Sequence, residues 1–321
     1  MSDVALIPAA EAVAPRRPAV GYAMAFAAGT LFGINGTVSK VIMESGGLSS
    51  LRLTEVRSTG AFIGLALIIA LTRPQAFRAT RRELLDLAVF GVLGVALVQL
   101  FYFLAIHRLD IGVSLLIQYL GPLFVALFAF FVLREHVRGR VWIALGLALV
   151  GLSLVVDLWR GVSLDGLGVL YSLLSAVTFA GYLLLAERAV GKRDAVSLLC
   201  FGFFFATIFW AIVQPWWSFP WDVPAKSVSL LGHLSDRQLP VWVLMLYLVV
   251  LGAIVPFFLI VGSMRHISAT RAGITAMIEP VVASIVAWAW LGESLNGQTL
   301  VGGAVVLVAI LLAQTARDQP R

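Results

Sequence analysis

Charge is scarce in this sequence. Only 12% of its 321 residues are Asp, Glu, Lys or Arg, while 60% are hydrophobic; soluble domains carry about 25% charged residues, so a water-soluble globule is excluded. Cysteine is nearly absent: Cys200 stands alone, which rules out an intrachain disulfide. There is no HExxH, CxxC or GxxxxGK[ST] run, and no Ser, His and Asp set that the apolar segments would bring together. No metal, no cofactor and no ATP-driven step is therefore expected, and an enzyme is disfavoured. The opening MSDVALIPAAEAVAPRRPAV lacks an apolar core of signal-peptide length ahead of its arginines, which predicts a retained cytoplasmic tail over residues 1–19.

Apolar runs fill the rest. A bilayer core roughly 30 Å thick takes about 20 apolar residues per helix. Ten runs fit, at 20–43, 51–72, 83–106, 111–133, 139–157, 167–187, 195–214, 240–264, 270–291 and 297–315. Rich in Gly, Ala and Leu and without polar alternation, they favour helices over a barrel. The expected fold class is all-α integral membrane. A first five-helix unit spans 20–157, an outer connecting loop 158–166, a second unit 167–315 and a cytoplasmic tail 316–321. The net charge of +6 is spread over loops, so it reports orientation rather than nucleic-acid binding. With the N-terminus inside, 16 Lys and Arg fall on the cytoplasmic side and 7 outside, which predicts both termini cytoplasmic. In that topology Trp159, Trp216, Trp217, Trp221, Trp242, Trp288 and Trp290 form an outer aromatic belt. The longest loop, Pro215–Pro240, carries three tryptophans, which suit interface anchoring better than a substrate lid.

The two halves repeat weakly. At a shift of 158 residues, YLGPLFVALFAFFVLREHVRG from Tyr119 overlays MIEPVVASIVAWAWLGESLNG from Met277. Pro122 then meets Pro280, Glu135 meets Glu293 and Gly139 meets Gly297. At a shift of 147, Phe32 meets Phe179 and Asn35 meets Tyr182. Five spans per half is an odd number, so the second copy enters the membrane from the opposite side. Inverted repeats of this kind characterise secondary transporters.

These two segments, with Pro in mid-span and Glu at the following loop, resemble the two EamA-type units of the drug/metabolite transporter superfamily. Arg57 in the second span resembles an arginine common there. The likeness covers Gly21 to Gln314, and its overall texture is similar to the bacterial aromatic amino acid exporter branch. What the resemblance implies is a basket of ten helices in the bacterial inner membrane, acting as a monomer. Helices 1, 3, 4, 6, 8 and 9 would surround a central cavity.

Polar residues on those helices are the candidate substrate site. Span 6 carries Tyr171, Ser175, Thr178 and Tyr182 on one face, an expected wettable stripe. Asn35 in span 1, Gln99 and Tyr102 in span 3, and Gln118 and Tyr119 in span 4 extend it. Interhelical bonding is the competing role for each. Glu279 lies in mid-span, where a carboxylate needs a partner or water; coupling a proton, binding an ammonium group and a structural role all fit. Pro122, Pro256 and Pro280 each remove a backbone hydrogen bond and are the expected bending points. The pairs Gly29/Gly33 and Gly60/Gly64 are expected to pack helices closely. Lys40, Glu44, Arg52 and Glu55 read as surface charges at the outer ends of spans 1 and 2. With no Lys or Arg expected at the midplane, anionic substrates are disfavoured. The leading expectation is a small-molecule exporter for amino acids, aromatic ones above all, in contact only with substrate and membrane lipid; a lipophilic-cation exporter is the alternative.

Overall fold

The computed structural model describes residues 17–109, 111–156 and 165–315. The tail 316–321 and Trp159 lie outside them, as do most of the tail 1–19 and of the loop 158–166. Local signals set the helix ends. Helix α1 (Pro18–Gly46) opens on proline and closes at Gly47, whose φ of 74° is left-handed. Helix α2 (Ser50–Thr72) is capped by Ser49, whose Oγ accepts from Arg52 N at 3.3 Å. Span 3 begins with α3 (Arg81–Val89) behind a Thr80/Glu83 capping box.

Several spans then break. Span 3 passes from α3 through a π-helical turn, Phe90–Ala96, into α4 (Leu97–Ile106). Span 4 is α5 (Ile111–Gln118) and α6 (Gly121–Phe131), separated by Tyr119 and Leu120. Span 5 is α7 (Gly139–Val155), span 6 is α8 (Gly166–Val190) and span 7 is α9 (Ala195–Val213). Span 8 is α10 (Val241–Val249), a π-helical turn over Val250–Ile254 and α11 (Val255–Ser263). Span 9 is α12 (Ala269–Ala276) and α13 (Glu279–Val286), separated by Met277 and Ile278 and followed by a π turn over Ala287–Leu291. Span 10 is α14 (Gly297–Thr315).

A shift of 158 carries α5 onto α12, and the starts of α6 and α7 onto those of α13 and α14. It also carries the end of the span 3 π turn, Ala96, onto the end of the span 8 π turn, Ile254. Pro122, Pro256 and Pro280 are each the second residue of a restarted helix, where the missing N–H is harmless. Packing follows the same relation. Span 1 lies against spans 8 and 9, and span 6 against their counterparts 3 and 4; span 2 runs along span 7 and span 5 along span 10.

Among the described residues, nine helices are long and apolar enough to cross a membrane. The tenth, α7, has 17 residues, about 25 Å at 1.5 Å each and the low end of what spans. The expectation of a purely helical chain needs one correction. The long loop contains two short antiparallel strands, β1 (Ser227–Ser229) and β2 (Gln238–Pro240), so Pro215–Pro240 is a folded cap and the chain is nearly, not wholly, helical.

Candidate functional site

The two broken helices meet. Tyr119, in the break of span 4, donates its hydroxyl to Glu279 Oε2 at 2.7 Å. Glu279 is the first residue after the break of span 9. Gly29 and Gly33 of α1 let this break approach, since a Cβ on Gly33 would lie 2.7 Å from the Glu279 carbonyl oxygen.

Two further side chains lie within electrostatic reach of the Glu279 carboxylate: Tyr102 from α4 and Arg57 from α2. Arg57 shares a face of α2 with Gly60 and Gly64, which pack on Val249 and Ile254 of span 8, so that face is turned inward. The expectation of no Lys or Arg at the midplane left out this cation, which faces inward within reach of the mid-span carboxylate. Glu279, Arg57, Tyr102, Gln99 and Gln118 are half-buried. Arg57 Nε, Gln99 Oε1 and Gln118 Oε1 are buried atoms without a partner among the described residues. Unsatisfied groups at such depth are costly unless something polar occupies the space beside them.

A run of aromatic rings flanks the cluster. Tyr119 meets Phe179 edge-on at 6.2 Å, Phe179 stacks with Tyr182 at 6.3 Å, and Tyr182 contacts Phe90 at 5.6 Å and Phe257 at 5.8 Å. Tyr182 is thus packed into a wall. Its backbone rests on Gly94 in the π turn of span 3, where a Cβ would come within 3.2 Å of Tyr182 Cα. Asn35 rests with its side-chain amide on Gly252 in the π turn of span 8. Residues 94 and 252 are 158 apart and residues 35 and 182 are 147 apart, so each half seats the counterpart side chain on its own π turn.

The polar stripe of span 6 is not open. Ser175 donates to the Val98 carbonyl at 3.0 Å and Thr178 to carbonyls of its own helix. Helix contact is what this face does, because a small polar side chain in lipid is cheapest when bonded to a neighbouring backbone. Tyr171 stays half-buried near the start of α8. Arg52 and Glu55 also depart from expectation: they pair at 2.6 Å with Glu55 wholly buried, and Arg52 reaches Ser218 Oγ at 2.6 Å.

A cavity of about 1320 Å³ opens at the end of the bundle that carries Pro18 and Gln314. Arg138, Arg188, Arg271, Glu187 and His266 line it together with Tyr22. None of the predicted substrate residues does. The opposite end is shut. Lys40 Nζ pairs with Glu293 Oε1 at 2.6 Å, and Trp290 Nε1 donates to the Leu230 carbonyl at 2.8 Å.

Known proteins agree with this architecture. The model of the EamA-like transporter family matches residues 19–157 and again 166–315. An uncharacterized transporter of Archaeoglobus fulgidus is 28% identical over 87% of this chain and 91% of its own. The threonine/homoserine exporter RhtA of Escherichia coli K12 is 26% identical over 86% and 84%. The uncharacterized inner membrane transporter YicL of Salmonella typhimurium is 24% identical over 89% and 92%. A solved crystal structure superposes with a TM-score of 0.74 at 15% identity, over 92% of this chain and 96% of that one, a likeness of fold alone. With its apolar helices and these relatives, the chain is a multi-pass transporter of the bacterial inner membrane. It belongs to the EamA-like transporter family of the drug/metabolite transporter superfamily.

Proposed function

We propose that this transporter exports amino acids, aromatic ones included, by alternating access between two inverted five-span halves. The observation that carries the reading is the Tyr119–Glu279 bond, which ties together equivalent breaks of spans 4 and 9. Broken helices at a repeat interface are where secondary transporters hold substrate, because freed backbone and polar side chains meet there. The rings beside it offer an apolar, stackable wall for a side chain. Relatives named as threonine/homoserine exporters support the amino acid class. If the termini are cytoplasmic, as the bias of basic residues implies, the vestibule is open inward and the Lys40–Glu293 end is closed. Pro122, Pro256 and Pro280 supply the bending points.

The test is counterflow. Purified protein in liposomes preloaded with excess unlabelled L-phenylalanine or L-threonine is given the labelled amino acid outside, without a pH gradient. Accumulation above protein-free liposomes is expected; none for either would overturn the reading. A lipophilic-cation exporter is favoured by Glu279 among aromatic rings, but Arg57 within reach of that carboxylate opposes it.

A further inference from the structure

We propose that Arg57 and Glu279 form a two-ended clamp for a zwitterion, Arg57 receiving an α-carboxylate and Glu279 an α-ammonium group. The inference rests on the amino acid reading and names what the site demands of its substrate. Both charges are held deep in the bundle, on spans 2 and 9, and each feels the other. They do not close on one another: Glu279 takes its bond from Tyr119, and Arg57 Nε has no partner among the described residues. Opposite charges that influence one another without a bond between them can each take one end of a molecule carrying both complementary charges.

The other open groups fit the same occupant. An ammonium group has three donors and no acceptor, and Gln99 Oε1 and Gln118 Oε1 are unpartnered acceptors. Gln118 precedes Tyr119, and Gln99 lies three residues before Tyr102, one helical turn away on α4. A guanidinium holds a carboxylate with two parallel bonds. The arrangement is electrically neutral when filled by a zwitterion and is left with a bare buried charge when filled by an amine or an acid. Bare buried charges are strongly penalised, so the clamp selects by what it leaves unpaired.

The test uses the full-length protein in liposomes, with L-phenylalanine against phenethylamine and 3-phenylpropanoate, and L-threonine against 1-aminopropan-2-ol and 3-hydroxybutanoate. Each amine lacks only the carboxylate and each acid only the ammonium. For the wild type, amine and acid are expected to compete at least about 100-fold more weakly than the amino acid. Arg57→Gln is expected to reduce discrimination against the amine about tenfold or more while still rejecting the acid; Glu279→Gln is expected to do the reverse. If neither amino acid is carried, the amino acid reading and the clamp both fall. If an amino acid is carried but its amine competes equally, or Arg57→Gln leaves the amine ratio unchanged, the clamp alone is overturned. Should Arg57→Gln not yield monodisperse protein, Arg57→Lys serves: a kept charge with the fork lost is expected to raise KM with the amine still rejected, and an unchanged KM would count against the clamp.

Discussion

Tyr119 and Glu279 act as one unit, and their coupling is measurable. A hydrogen bond to a charged group contributes about 1.5–3 kcal/mol, and the donor here comes from the opposite half of the chain. Tyr119→Phe removes the donor and keeps the ring on Phe179; Glu279→Gln keeps an acceptor and removes the charge. A double-mutant cycle on exchange rate should give a coupling of about 1–3 kcal/mol; additive effects would mean that the bond is incidental. Arg52 makes a second residue-scale case. Its loss leaves Glu55 buried without its partner and frees the Ser218 turn, so Arg52→Ala should destabilise by about 3 kcal/mol, read as a lowered Tm in detergent. The sequence exposed Glu279 because a carboxylate among apolar residues is conspicuous. The inward position of Arg57 is not legible, because it lies in the first third of its span and depth there depends on how the bundle packs over that end. The roles of Ser175 and Tyr182 were also illegible, since a helix-face stripe does not say whether a cavity or another helix covers it.

Helix breaks carry the next level. Two of them, in spans 4 and 9, were legible through Pro122 and Pro280, since proline cannot continue a helix without losing a bond. The π turns of spans 3 and 8 were not, because their sequences are ordinary apolar runs; in hindsight the signal was Gly94 and Gly252 at the repeat shift. At Gly252 a methyl group would overlap the Asn35 amide. Gly252→Ala should therefore displace Asn35 and cost about 1–3 kcal/mol, and adding Asn35→Ala should recover most of it. A Tm unchanged in the single variant would show that the π turn yields freely. The repeat also exposes a strained position. Both broken helices lead to a left-handed residue 158 apart, Gly292 with φ 72° in the second half and Arg134 with φ 54° in the first. Arginine pays for that conformation, roughly 1 kcal/mol, so Arg134→Gly should raise Tm by a few degrees at most.

At the scale of the molecule the two ends differ: one holds the vestibule, the other is latched by Lys40 and Glu293 under the cap. Spans, their number and the repeat were legible because composition and proline spacing encode them. Which end is open was not, because it is a small free-energy difference between two packings of similar halves. The latch bears on that difference directly. Both its partners are more than two-fifths exposed, 43% and 47%, so the pair contributes only about 0.5–1 kcal/mol. Glu293→Gln should then shift the population toward opening at the cap end by about 2- to 5-fold. A cysteine placed at Gln99, in a Cys200→Ala background, would report this through its labelling rate by a membrane-impermeant maleimide added from the cap side. Labelling should rise by that factor in Glu293→Gln. Raising salt should speed labelling in protein that keeps Glu293 but not in the variant, because screening weakens only a pair that exists. Equal salt dependence in both would show that the cap contacts, led by Trp290 on Leu230, hold that end shut and that the ion pair merely follows.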